Sequence, residues 1–387
     1  MNYTKKQLGQ YIDVLSGFAF KSKDFTNVGI PVIKIKNINP PYVSLEDISC
    51  VPISVAYQNP KYILKRGDVL IAMTGSHINQ IASVVGRVGR VRYDDLTVLN
   101  QRVGKIINKN DEYSNLDYIY YFLSQYDVKV ELAQKAGGAA NQANISPSDI
   151  KNLYFPCPPI EIQNKIATIL SRYDSLIENY QKQIKLLEES AQRLYKEWFI
   201  DLRFPGHENT KIVDGVPEGW EKAKLGTLVE FKRGKTITKK EAVEGNIPVV
   251  AGGLEPAYYC NKSNTAERVI TVSGSGANAG FTRMYFENVW ASDCSFVDAS
   301  TTPFLHFIYC YLKDNKTTID NMQKGAAQPH VYAKDINSLE LCIPIESVLK
   351  SFEGTASKYF DTISSHQSLI RLLTESRDRL LPKLMSS

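Results

Sequence analysis

YDSLIENYQKQIKLLEESAQRL (residues 173–194) and YFDTISSHQSLIRLLTESRDRL (residues 359–380) are the two stretches from which the rest of the chain is read. Tyr173, Ile177, Tyr180, Ile184, Leu187, Ala191 and Leu194 step by four and three. Tyr359, Ile363, His366, Ile370, Leu373, Arg377 and Leu380 do the same, each 186 positions after its counterpart. Six residues between Leu186 and Leu194 recur identically between Leu372 and Leu380. A four-three step is the heptad seam of a coiled coil, because 3.5 residues per turn keeps one stripe facing a partner helix. Residues 161–199 hold neither Gly nor Pro, and at 1.5 Å per residue that helix is roughly 55 Å long. The second runs from about residue 347 to 381, with Pro382 expected to end it. Intramolecular antiparallel pairing buries both stripes at once, and the polar members His366 and Arg377 are placed to fix the register.

The repetition extends outward from the helices. Leu8, Gly9, Ile12 and Gly17 match Leu225, Gly226, Val229 and Gly234 at an offset of 217, as do Ile30-Pro31-Val32 and Ile247-Pro248-Val249. Gly138-Ala139-Ala140 matches Gly325-Ala326-Ala327, and Asp149-Ile150, Leu153 and Pro158 match Asp335-Ile336, Leu339 and Pro344 back at 186. The second copy therefore lacks a net 31 residues (217 − 186) in its middle. The expected fold is α+β: two similar strand-rich recognition domains and two long antiparallel coiled-coil helices, forming a pseudo-twofold internal repeat. The expected boundaries are a first domain over residues 1–158, a helix over 159–200, a linker over 201–219, a second domain over 220–345 and a helix over 346–387.

Short Val- and Ile-rich segments punctuated by Gly and Pro, such as residues 30–35, 68–73 and 81–91, predict strands. Residues 116–132 and 303–312 predict helices. The charge is +5 overall, but residues 61–109 carry nine Lys/Arg against three Asp, and residues 222–240 carry seven against one Glu. Two basic stretches inside the globular domains favour a polyanionic partner. The six cysteines are scattered without metal-ligand or disulfide spacing, which suggests reduced thiols in a cytoplasmic protein. The start MNYTKKQLGQ has no apolar signal core, and no run of about 18 apolar residues exists to span a membrane.

Two motifs suggest catalysis. Asn39-Pro40-Pro41-Tyr42 spells the N-P-P-Y of adenine amino-methyltransferases, and a glycine-rich turn follows residues 269–272. A methyltransferase needs the glycine turn first, in one alternating β-α-β sheet; here the order is reversed and the two motifs fall in different repeats. The five histidines show no metal-ligand spacing, no nucleophile–base set is localised, and no P-loop exists. No catalytic residue, metal or cofactor is expected in this chain.

WFIDLRFPG (198–206), VPEGWEKAKLG (216–226), IPVIKIKNI (30–38), LNQRV (99–103) and the paired loops GAANQANISPSDI and GAAQPHVYAKDI, set around the duplicated zipper, resemble the specificity (S) subunit of type I restriction–modification systems. The resemblance spans essentially the whole chain. It implies a non-catalytic DNA-recognition subunit of a bipartite, asymmetric site. Each domain would read one half-site of double-stranded DNA, with the domains at opposite ends of the paired helices. Two modification (methyltransferase) subunits, carrying S-adenosylmethionine, would dock along those helices, and restriction subunits would join them. An enzyme in its own right, either methyltransferase or nuclease, and a scaffold without a DNA role are the alternatives.

Within this frame the candidate DNA contacts in the first domain are Lys34, Lys36, Asn37, Thr74, Ser76, His77, Asn79, Arg87, Arg90 and Arg92. In the second they are Lys232, Arg233, Lys235, Ser273, Ser275, Asn278 and Arg283, and Gln142 and Gln328 of the paired GAA loops are further candidates. The loops TGSHIN (74–79) and SGSGAN (273–278) occupy like places after an apolar strand. Basic side chains on phosphates position a protein, whereas polar groups at base edges specify sequence.

Overall fold

A computed structural model describes residues 3–75, 84–137, 143–325 and 329–385. The chain divides into two compact units, Met1–Ile177 with Arg371–Ser387, and Glu178–Ile370. Compactness thus cuts each long helix near its middle and gives each unit a strand-rich domain plus a segment of both helices.

In the first unit the strand Val69–Ala72 is buried at every position, as expected of a run of Val, Leu, Ile and Ala covered on both faces. It pairs antiparallel with Val103–Asn108 on one side and Val88–Arg90 on the other. Ile12–Ser16 closes one edge, and Tyr42–Val43 and Ile38–Asn39 extend the other. In a second sheet Ile30–Ile33 runs parallel to Thr97–Leu99 and antiparallel to Ser49–Val51.

The second unit repeats the plan. Val269–Ser273, again wholly buried, lies between Cys294–Asp298 and Thr282–Tyr285, with Lys232–Arg233 at the edge. Ile247–Val250 runs parallel to Trp290–Ala291 and antiparallel to Tyr258–Cys260. Each domain closes by pairing its first strand with its last, Lys5–Gln7 with Tyr154–Pro156 and Glu221–Lys224 with Glu340–Ile343. The following residue repeats the closure: the Leu8 N–H donates to Leu153 O at 2.8 Å, and the Leu225 N–H to Leu339 O at 2.7 Å.

Gly17 and Gly234 show why the repeated glycines are glycine. A Cβ on Gly17 would sit 2.2 Å from Asn100 O, and one on Gly234 2.4 Å from Ser292 O, so both are close backbone approaches with no room for a side chain. The offset of 217 at Ile30/Ile247 falls to 200 at Val69/Val269. Most of the length difference therefore lies where the first unit carries Ile38–Asn39, Tyr42–Val43 and the helix Ile53–Tyr57. The Asn-Pro-Pro-Tyr motif belongs to that excess.

The long helices are Ile160–Tyr195, continued by a wider turn over Lys196–Ile200, and Glu346–Met385. In the second unit they run antiparallel: Tyr195 meets Phe352 (ring centroids 6.4 Å) and Tyr180 meets His366 (4.8 Å). Seam residues Ile184, Leu187, Leu194 and Tyr359 pack half-buried against that unit's core, and Ile363 is fully inside it. Ile370 is half-buried there too. In the first unit Ile177 is buried, Tyr173 and Leu373 are half-buried, and Leu380 joins the core that holds Leu170 and Met385.

Three expectations are corrected. Pro382 does not end the second helix; only one intrahelical donor is lost there, and Leu381, Leu384 and Met385 bury the last turn in the first unit's core. The helix expected over 116–132 is two, Leu116–Leu123 and Tyr126–Lys135, because Gln125 between them is extended and starts the second. Within the described part of the strand expected over 81–91, residues 84–91, only Val88–Arg90 is ladder; residues 84–87 form a turn with Gly86 at φ 73°. The segment 201–219 expected as a linker carries structure of its own. Phe204 packs on Trp220 (4.9 Å between ring centroids), and Ile212–Val213 pairs with Val216–Pro217. All six cysteines are unpaired.

Candidate nucleic-acid interface

In each unit the described residues that flank the two loops singled out as separate motifs are bonded to one another. In the second, the loop after Val269–Ser273 is stitched to the residues that follow the GAA sequence: the Val331 N–H donates to Gly274 O (3.1 Å) and the Gly276 N–H to Pro329 O (3.0 Å). His330 and Lys324 exchange backbone hydrogen bonds of 2.8 and 3.0 Å, which closes the GAA loop at its neck. In the first unit Thr74–Gly75 pairs with Ala143–Asn144, the Ile145 N–H donates to Met73 O (2.9 Å), and Asn144 closes on Gly137. Beyond each loop a short helix is capped alike, by Asp149 at the Ser146 N–H and by Asp335 at the Tyr332 N–H. Burial works against the Asp335 carboxylate, but hydrogen bonds from Lys324 and the Tyr332 backbone outweigh it and hold its pKa below the usual range.

Lys232 and Arg233 form the exposed edge strand beside this construction, with Lys235 next to it. Backbone bonds fix that edge: the Lys235 N–H donates to Ala291 O (2.9 Å), and Trp290 Nε1 donates to Lys235 O (2.7 Å). Among the described residues none of the three makes an ion pair, so the edge keeps its positive charge. Arg233 lines the same small cleft as Gly274, His330 and Tyr332. Three further candidates shape the loops. Ser275 donates its hydroxyl to the Asp293 carboxylate, Asn278 reaches Gly252 O at 3.4 Å, and Arg283 donates to Leu254 O at 2.8 Å.

Several candidates are interior and are withdrawn as contacts. Ser273 is buried at the end of the central strand and Thr74 at the start of its loop. Asn37 is 1% exposed; it accepts from the Lys34 N–H and donates to Glu46 O, both at 3.0 Å. Arg90 is 4% exposed, lies over the Tyr120 ring at 4.3 Å and pairs with Asp117 at 2.7 Å. Arg92 is half-buried rather than interior and is engaged by Asp174 at 3.6 Å. For the interior ones the reason is common: on an alternating strand or tight turn a polar residue of the right type can point inward, and sequence alone does not give the face.

Lys34 donates to Ser49 Oγ (2.9 Å) above the Phe25 ring, and burial followed by the neighbouring Lys36 lowers its pKa. Lys36 pairs with the exposed Asp47. Arg87 is half-buried without an ion pair among the described residues and lines a cavity of about 540 Å³ with Pro40, Pro41, Tyr120 and Lys129. Ser76, His77, Asn79, Gln142 and Gln328 lie outside the described residues. The second unit thus brings its exposed candidates together at one edge and loop. In the first the remaining candidates divide between the turn at 34–37 and the cavity wall. Sequence reading missed His330 and Tyr332, although both lie in the repeated GAA loop.

Among the described residues no group of His, Cys, Asp and Glu is arranged to hold a metal ion, and no helix is long and apolar enough to cross a membrane.

The family described as "Type I restriction modification DNA specificity domain" matches residues 1–189 and 217–371. The chain is 30% identical over 311 residues to the type I restriction enzyme MjaIX specificity subunit of Methanocaldococcus jannaschii, covering 74% of this chain and 71% of that one. It is 25% identical over 357 residues to the putative MjaX specificity subunit of the same organism, covering 88% and 82%. The crystal structure of a type I restriction–modification S subunit from M. genitalium superposes with a TM-score of 0.61 at 18% identity, covering 100% of this chain and 97% of that one.

Proposed function

Since the chain belongs to the type I restriction–modification DNA specificity family, we propose that it is the non-catalytic subunit that reads a bipartite, asymmetric site in double-stranded DNA, one half-site per domain. One observation carries this reading: the same two-loop construction occurs in both units on the same frame but with different side chains. Two like frames with unlike surfaces suit two unlike half-sites. The unneutralised Lys232, Arg233 and Lys235 edge would hold phosphates and set the register of the second domain on the duplex. The loop side chains would reach base edges.

Chemistry falls to partners in this reading. Two modification subunits, which would bind S-adenosylmethionine, dock along the long helices, and restriction subunits complete the complex. The N-P-P-Y sequence contributes a turn, not a catalytic site: Pro41 O accepts from the Arg90 N–H (3.0 Å) and from Tyr120 Oη (3.1 Å). The test is methylation mapping in the host with and without this chain, together with DNA binding by the complex across a salt series. A two-part methylated motif that disappears with the chain is expected; methylation that persists unchanged without it would refute the reading.

A further inference from the structure

Resting on that reading, we propose that Tyr332, backed by His330, is a sequence-determining residue of the second domain and that it contacts the 5-methyl group of a thymine in its half-site. The two rings lie parallel, 9° apart with centroids at 5.8 Å, and Lys334 stands 5.7 Å over the Tyr332 ring. Tyr332 is 39% exposed. It shares a cleft with the unpaired Arg233, which places an apolar ring next to a cation suited to phosphate.

The backbone under both rings is fixed. His330 is bonded in both directions to Lys324 and bridged to Ser275, and Tyr332 caps the helix Ala333–Asn337. A ring held on fixed backbone loses little freedom on binding, which is what makes an aromatic contact discriminating. The partly sunken position argues for a contact at a groove wall rather than a wedge between base pairs, since a wedge must project. In the major groove the thymine methyl is the apolar group that distinguishes one base pair from the others. At the repeat offset of 186 the first unit carries Asn144, Ser146 and Ser148 in place of His330, Tyr332 and Lys334. The device therefore belongs to the second domain alone and makes the two half-sites chemically unlike.

The experiment uses the complete complex on synthetic duplexes of its mapped motif in which each thymine in turn is replaced by uracil, which lacks the methyl. At one thymine of one half-site, uracil should weaken wild-type binding about fivefold, the low end of the cost of a wrong base pair. Tyr332→Ala should show the same loss on the native site and no further loss with uracil, while Tyr332→Phe retains the wild-type pattern and unspecific binding is unchanged. If no uracil position matters to the wild type, if Tyr332→Ala still responds to uracil, or if it weakens all DNA alike, the assignment fails. Absence of salt-dependent DNA binding by the wild-type complex would instead reject the underlying function.

Discussion

Arg377 Nη1 donates to Asp174 Oδ1 at 2.8 Å, joining two residues 203 positions apart in sequence inside the first unit. Asp174 is fully buried; it also accepts from Tyr121 Oη at 2.6 Å and faces Arg92 at 3.6 Å. Arg377 is, with His366, a polar member of the second heptad stripe, and its partner lies one residue after Tyr173 of the first. Burial opposes the charge on Arg377, but Asp174 and Asp378 more than offset it and raise its pKa. A shift of helix register would leave charges buried without partners, so this pair specifies the pairing even where its net stabilisation is small.

Asp174→Ala should destabilise the first unit by about 3–5 kcal/mol, because it takes from the half-buried Arg377 and Arg92 the buried carboxylate they share. The paired change Asp174→Leu with Arg377→Met should recover most of that loss. Denaturant unfolding of the three chains checks this; a single mutant as stable as the parent would contradict it.

Two glycines should respond with opposite sign. Gly234→Ala drives a Cβ to 2.4 Å from Ser292 O and should cost about 1–3 kcal/mol, the range of overpacking. Gly354 lies in the second long helix with nothing within 4 Å of a Cβ, so Gly354→Ala should stabilise by about 0.5–1 kcal/mol. Thermal unfolding midpoints report both.

Asp298 gives a pH signature. Burial raises its pKa, but hydrogen bonds from the Ser300 hydroxyl, the Ala266 and Ser300 N–H groups and the Thr301 hydroxyl outweigh it, and the folded value lies below the ordinary one. A depressed carboxylate contributes stability above its unfolded pKa of about 3.9 and loses it as pH falls through the folded value. Asp298→Asn should therefore be less stable than the parent at pH 7, with the gap closing below about pH 4. A gap independent of pH would assign the loss to shape rather than charge.

Replacing Lys232, Arg233 or Lys235 by Ala should weaken binding of the complex to all sequences alike and flatten the logarithmic salt dependence by about 0.9 for each phosphate no longer neutralised. Asn37→Ala should instead lower stability and leave the recognised sequence unchanged, since its side chain is used internally.

The heptads, the repeated glycines and the matching segments at each end of the repeat made the architecture legible, because each reflects a period or a steric necessity. Gly17 and Gly234 are glycine for the same steric reason, and that reason survives divergence of everything around them. The interface was less legible. Arg90 and Arg233 are both basic residues on short strands, yet one is buried against a tyrosine ring and the other lies at an open edge. Only the sheet order separates them. Asp174 was hidden because it lies one residue off the heptad stripe, where a carboxylate reads as an ordinary solvent-facing charge.

The pairing of each domain's first strand with its last has a consequence for how such a chain can change. Entry and exit lie one ladder spacing apart, about 5 Å, so each head is a cassette sealed at its own neck. A replacement for residues 5–156 or 221–343 would therefore have to keep only that ladder and the few side chains that face the long helices, such as Tyr121 on Asp174 and His306 on Glu353, to leave the helices as they are.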